Sequence, residues 1–348
     1  MWGFTKSHCK DSALHLRNRV LPNVAARLLL QPIDKRMNSV LSRFSLCDAH
    51  CHPQDDPRHL ELFLSVEASQ VAAMGTRESN WQTVEDLYRA YPSKVIPCFG
   101  VHPWFAHAHA LEPGTYGRDI IVDTRRHPAP SDQQGAEYDQ QGCRGVEKGL
   151  LDSKLSNEWL QKLRQLLECY PQAWVGEFGL DRSAIIPQTK LQVSYQHQLQ
   201  LTELHLRLAA ELKRPVSMHC VRAYGHLHDM IKDLGPDNCP PRIMLHSFGG
   251  SPEVVVQFLR GLPKELGNRI FFSFSSVING ANKTKLISRI TAVPDDRWLI
   301  ESDQNTPAAI DSDMVDILAI VAEAKDWDLN RTAVQAALNF ESFCNVSC

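Results

Sequence analysis

Between residues 44 and 301, short β-rich runs alternate with longer helical stretches, and this alternation limits the fold more than any other feature. Eight runs read as strands: 44–48, 70–75, 94–100, 173–178, 215–219, 242–246, 269–274 and 297–301. Several are nearly continuous apolar runs, as expected of strands buried on both faces of a parallel sheet. The stretches between them carry helical stripes. Leu160, Leu163, Leu166 and Leu167 fall at helical spacing within 159–170. A longer stripe of Leu191, Tyr195, Leu199, Thr202, Leu206 and Ala209 predicts a helix over 189–212. Ser251-Pro252-Glu253 reads as an N-cap followed by proline at the first helical position. Alternation repeated eight times predicts an α/β fold, a (β/α)₈ TIM barrel over residues 46–348. An open doubly wound sheet is the structural alternative. Residues 117–148, rich in Gly, Gln, Asp, Arg and Pro, break the pattern and read as an insertion after the third strand.

Bulk properties exclude some functions. A net charge of −3 gives the chain no global attraction for nucleic acid or an anionic membrane, so a polyanionic substrate would need local positive charge. No apolar run approaches membrane-spanning length. The ten cysteines form no CxxC pair and no regular framework, which in a chain of 348 residues reads as free thiols of a reducing compartment. Cys47, Cys51 and Cys220 flank candidate site residues and read as packing groups. Residues 1–45 stand apart. Lys6, Lys10, Arg17, Arg19, Arg27, Lys35, Arg36 and Arg43 face only Asp11 and Asp34 there. This extension is compatible with a mitochondrial presequence, with disorder, or with a true start at Met37; otherwise the expected compartment is cytoplasmic or nuclear.

Histidines and acids recur where these strands end, the end at which barrel active sites are assembled. The first strand runs into Asp48-Ala49-His50-Cys51-His52, whose two imidazoles share one side of an extended chain. The third ends in Gly100-Val101-His102-Pro103 and the fourth in Gly176-Glu177-Phe178-Gly179-Leu180-Asp181. His219, His246 and Glu301-Ser302-Asp303 close the fifth, sixth and eighth. Any one strand-end histidine is more often a packing residue than a ligand. Five histidines and two acids on one predicted rim carry more weight. His197, His205, His226 and His228 fall on helical stretches and read as solvated or packing residues.

Taken in order, His50-x-His52, Gly100-x-His102-Pro103, Glu177-x-Gly179-x-Asp181, His219, His246 and Ser302-Asp303 resemble the pattern of the TatD-type hydrolases, members of the amidohydrolase-like metal-dependent hydrolases. The chain is also similar to a fungal subgroup that interacts with a subunit of the anaphase-promoting complex. The resemblance implies two divalent metal ions (Zn, Mn or Mg). His50, His52 and Asp303 would hold one, His219 and His246 the other, with Glu177 between them. Such a pair clamps attacking and leaving oxygens and lowers the pKa of a bound water. The implied substrate is DNA or an oligonucleotide, with Glu177, His102 and Asp303 catalytic. His102 would contact the scissile phosphate or protonate the leaving oxygen, and Arg222 would pair with phosphate. Asp181 reads as a hydrogen-bonding support in the following loop.

Two segments depart from the family pattern. The run Asp303-Gln304-Asn305-Thr306-Pro307 is two residues longer than the usual D-x-P, and Arg222 lies three residues beyond His219 rather than two. Neither change removes a ligand, but both alter loops near the substrate. Two other functions therefore stay open at this level: hydrolysis of a non-nucleic-acid ester or amide on the same scaffold, and a barrel that serves as a cell-cycle protein-binding scaffold.

Overall fold

A computed structural model describes residues 40–123, 148–155 and 157–345. Eight strands form one parallel sheet in the order β1 (Cys47–Cys51), β2 (Gln70–Met74), β3 (Val95–Phe99), β5 (Trp174–Asp181), β7 (Val216–Val221), β8 (Ile243–Leu245), β9 (Ile270–Phe274) and β10 (Trp298–Ile300). The order never doubles back, which excludes the doubly wound alternative. At the seam between β1 and β10, Asp303 N donates to His50 O at 2.9 Å and His52 N to Gln304 O at 2.7 Å. The Asp48 carboxylate adds to the seam by accepting from the backbone N–H groups of His50 (3.1 Å) and Ser302 (3.0 Å) through one oxygen. Its other oxygen accepts from Ser302 Oγ at 2.5 Å. The sheet thereby curls into a nearly closed (β/α)₈ barrel.

Two apolar layers follow from the period-two alternation of strands. Outward residues such as Val71, Ala73, Val95, Phe99, Ile270 and Phe272 pack against Leu163, Leu167, Leu206, Ile231 and their neighbours on the surrounding helices. Inward residues Ala72, Met74, Ile96, Cys98, Met244, Phe271 and Leu299 fill the barrel. An aromatic plug closes its amino end. Phe343, on the last helix Leu329–Cys344, packs its ring 4.9 Å from that of Trp174 and 5.2 Å from that of Phe271. The carboxyl end is left for polar groups.

All eight expected strands are present, and four local differences have physical causes. The first strand begins at Cys47, three residues later than expected, because the chain is still turning at Ser45 (φ +52°), with Leu46 N donating to Leu41 O at 2.9 Å. The 189–212 helix starts only at Tyr195. Leu191 and Val193 instead alternate with half-buried Gln192 in β6 (Leu191–Val193), which pairs antiparallel with β4 (Ile121–Asp123). β4 lies at the start of the expected 117–148 insertion, behind a short helix Gly117–Ile120; residues 124–147 lie outside the described residues. Packing also begins before residue 46: a turn of helix, Val40–Arg43, buries Leu41. The basic segment 1–39 lies outside the described residues.

Between β1 and β2 a 3₁₀ turn, Pro57–Ser65, stands where the repeat calls for an α-helix, and the long helix Pro307–Lys325 packs against it. That helix starts sharply, with Thr306 capping Ala308 N and Pro307 in its first turn, so the two extra residues after Asp303 are taken up in reaching the cap. Ser251 occupies its expected N-cap position but makes no side-chain cap. Cys47, Cys51, Cys98, Cys220, Cys239 and Cys344 are free. Burial pushes the Cys47 and Cys220 thiols up to about 12, which suits packing rather than ligation. Cys169, against the expectation of free thiols, is disulfide-bonded. Among the described residues no helix is long and apolar enough to cross a membrane.

Candidate metal centre

The six side chains expected to converge do so at the carboxyl end of the barrel, around the carboxylate of Glu177. Its Oε2 faces the β1 pair, 3.5 Å from His50 Nε2 and 3.4 Å from His52 Nε2. Its Oε1 faces the other imidazoles: His246 Nε2 at 2.7 Å, His219 Nδ1 at 3.0 Å and His102 Nε2 at 3.3 Å. Asp303 closes the β1 side, with Oδ1 3.7 Å from His50 Nε2 and 3.6 Å from His52 Nε2. Local structure aims each group. Gly179 sits at φ +148°, and a Cβ there would lie 2.0 Å from His219 O, so β5 and β7 approach this closely only without a side chain.

The donor set suits a cation. His50 and His52 bring their Nε2 atoms within 3.2 Å of each other, and His219 Nδ1 lies 3.2 Å from His246 Nε2. The His50 and His246 rings stack at 3.9 Å. Three groups of potential ligand atoms result: His50, His52 and Asp303; His102, Glu177 and His219; and His50, His246 and Glu301. Imidazoles with carboxylates of this kind are ligands for zinc and other divalent transition ions. The residues present therefore fit a metal.

Electrostatics divides the imidazoles into two kinds. Burial opposes charge on His52, but Asp303 and Glu177 outweigh it and raise its pKa to about 9. The same balance raises His219 and His246, chiefly against Asp181 and Glu177 for the first and Glu177 for the second. For His102 burial wins and lowers the pKa to about 4. His102 Nδ1 accepts from Trp104 N at 3.1 Å, so the ring proton of the neutral form lies on Nε2, toward Glu177. Glu177 is buried, which opposes its charge, yet the surrounding imidazoles, His102 and His246 foremost, hold it well below the usual carboxylate range.

His102 thus packs among the imidazoles around Glu177, its ring centroid 4.4 Å from that of His219. Asp181 is the last residue of β5, not a loop residue. It places Oδ2 3.4 Å from His219 Nε2, accepts from the Trp104 indole N–H at 3.3 Å and from Ser183 N at 2.7 Å, and receives its own position from Gln198. Arg222 is exposed beyond β7 at φ +54° and is not among the side chains around Glu177. Among the residues earlier read as bystanders, His197, His205 and His228 are buried and His226 is exposed. Sequence reasoning missed Ser217, whose Oγ lies 2.8 Å from His50 Nδ1, and the fully buried Glu301 behind His246. Glu301 stands two residues before Asp303 on the same strand end, a spacing that would have marked it.

A protein-family profile described as TatD related DNase matches residues 47–345. The chain belongs to this family. It is 31% identical to the Cut9-interacting protein scn1 of Schizosaccharomyces pombe over 87% of this chain and 99% of that protein. It is 26% identical to an uncharacterized deoxyribonuclease of Saccharomyces cerevisiae, over 86% of this chain and 98% of the relative. Among solved structures, the TatD homologue YjjV of Escherichia coli superposes with a TM-score of 0.58 at 20% identity, covering 88% of this chain and all of that one. A TatD-family hydrolase of Entamoeba histolytica gives 0.59 at 14% identity, over 86% and 97% of the two chains. Membership in the TatD family makes the chain a hydrolase of ester bonds, built on the barrel that its sequence predicts.

Proposed function

We propose that this TatD-family chain is a metal-dependent phosphodiesterase acting on DNA, with His50, His52 and Asp303 holding one divalent ion, His219 and His246 a second, and Glu177 bridging them. The observation that supports this most is the division of labour on Glu177, whose Oε2 faces one imidazole pair while Oε1 faces the other. Two divalent ions held there would supply an activated water and neutralise charge building on the phosphate. Zinc suits the imidazoles, while manganese and magnesium suit the carboxylates. His102, which burial keeps neutral, turns its Nε2–H toward Glu177 Oε1, where it can hydrogen-bond an oxygen of a bound phosphate. Beside it Trp104, 46% exposed with its N–H tied to Asp181, offers a face on which a base can stack. Arg222, on the rim, is free to reach a phosphate oxygen.

The fission-yeast relative favours a second reading. It is named for its interaction with Cut9, and a protein partner of that kind, expected from sequence as a subunit of the anaphase-promoting complex, fits alongside catalysis. One set of measurements separates the readings: divalent-metal stoichiometry, and cleavage of single- and double-stranded oligonucleotides by the purified full chain and by Glu177→Gln. Two ions per chain and cleavage that the variant loses support a DNase. Two ions without cleavage point to another ester or amide, and no bound metal points to a scaffold.

A further inference from the structure

The imidazoles around Glu177 differ in what holds the far side of each ring. His50 Nδ1 lies 2.8 Å from Ser217 Oγ and His52 Nδ1 3.2 Å from Met74 O, so each ring is fixed with Nε2 toward the centre. His246 also turns Nε2 inward, 2.7 Å from Glu177 Oε1, but its buried Nδ1 has no hydrogen-bond partner. What faces it is Glu301, whose Oε1 lies 3.7 Å away. Glu301 is fully buried. Its Oε1 accepts from Ser247 N at 2.6 Å and Ser247 Oγ at 2.7 Å, while its Oε2 has no partner at all. A donor and an acceptor are thus both unmatched on neighbouring buried side chains, although native interiors rarely leave such groups unmade.

We propose that Glu301 is a positioning residue: its carboxylate accepts the Nδ1–H of His246 and thereby commits Nε2 to a divalent cation. This rests on the metal-centre reading above and adds a member to it. About one ångström of movement closes the gap, and contacts of this type commonly tighten only when a site is loaded. A carboxylate behind a metal-bound imidazole fixes its tautomer and raises its basicity. Ser247 couples the arrangement to the other side of the centre, because its Oγ also lies 3.0 Å from Asp303 Oδ2. Ser247 is itself held, at φ +40°, by Ser275 Oγ at 3.0 Å. The two strand ends that supply His246 and Asp303 are therefore joined through one buried carboxylate.

The test uses the full chain and zinc. Glu301→Gln keeps the oxygen that serves Ser247 and faces His246 but removes the carboxylate charge, and Glu301→Asp restores a carboxylate. Zinc binding is titrated against a competing chelator, and the ring protons of histidine are followed by NMR on ¹⁵N-histidine-labelled, zinc-loaded protein. The expected result is two equivalents of zinc in wild type and both variants at saturation. In Glu301→Gln one site should bind roughly 10- to 100-fold more weakly, and the Nδ1–H signal of His246 should be lost or shifted; Glu301→Asp should recover part of both. Unchanged affinity and an unchanged His246 signal would overturn the proposal and leave Glu301 as a support for Ser247 alone. Loss of a whole equivalent at saturation would overturn it differently, by making Glu301 a ligand. If the wild type binds no zinc, the metal-centre reading fails first and takes this one with it.

Discussion

Asp48 holds the seam of the barrel, and its removal should be costly in a way that depends on the replacement. One oxygen accepts two backbone N–H groups, those of His50 and Ser302, and the other accepts the Ser302 hydroxyl. Asp48→Ala leaves three buried donors without a partner. At about 1–3 kcal/mol for each orphaned group, with some relief from local relaxation, the loss is roughly 3–6 kcal/mol, a large share of the 5–15 kcal/mol typical of a domain. Asp48→Asn should behave very differently. Its amide oxygen can keep both backbone bonds, and its NH₂ can donate to Ser302 Oγ. Burial already pushes the Asp48 carboxyl up to about 7, so a neutral side chain at neutral pH costs the fold little. Urea unfolding at pH 7 in excess chelator measures stability without metal. The reasoning is refuted if Asp48→Ala lies within about 1 kcal/mol of wild type, the usual range of one net hydrogen bond, or if Asp48→Asn is as damaging as alanine.

Three further outcomes follow from particular contacts. Gly179→Ala should lose metal binding while the outer helices remain, because its Cβ would meet His219 O at 2.0 Å and force β5 away from β7; near-wild-type zinc affinity would contradict this. Phe343→Ala should cost about 3–5 kcal/mol in chemical unfolding by opening the amino-end plug between Trp174 and Phe271, and should leave the stoichiometry of bound metal unchanged. His205 is fully buried between the rings of Trp159 and Phe178, and burial lowers its pKa to about 4. Because the fold prefers the neutral ring, its contribution is complete above about pH 6.5 and is lost as pH falls from there toward 4, by about 3 kcal/mol in all. His205→Phe should therefore flatten the acid limb of the stability–pH curve, and an unchanged limb would disprove the assignment.

The barrel and the side chains gathered at its mouth were legible in the chain for one reason. A strand displays alternate residues on fixed sides, and each barrel strand delivers its last residues to the same mouth, so position along the sequence translates directly into position in the site. His50, His52, Glu177, His219, His246 and Asp303 could be placed at one rim on that basis, while their division between two metal ions is what the resemblance to the TatD pattern implies. The ribbon of Ile121–Asp123 with Leu191–Val193 could not, because two three-residue strands far apart in sequence stabilise each other only once the fold brings them together. The 189–212 stripe also fitted helical spacing, and nothing local could arbitrate.

What the sequence determined alone is the repeat of eight strands, the end of each at which chemistry is placed, and the kinds of side chain that meet there. Tertiary structure decided which atom faces which. Only packing turns Glu177 so that its two oxygens serve different imidazoles, draws His102 into the cluster and leaves Arg222 outside it. It also places Ser217 and Glu301 behind two of the rings. Spacing along a chain fixes the side a residue occupies, whereas ring orientation and hydrogen-bond partners depend on neighbours contributed by other strands, and those neighbours exist only after the barrel has closed.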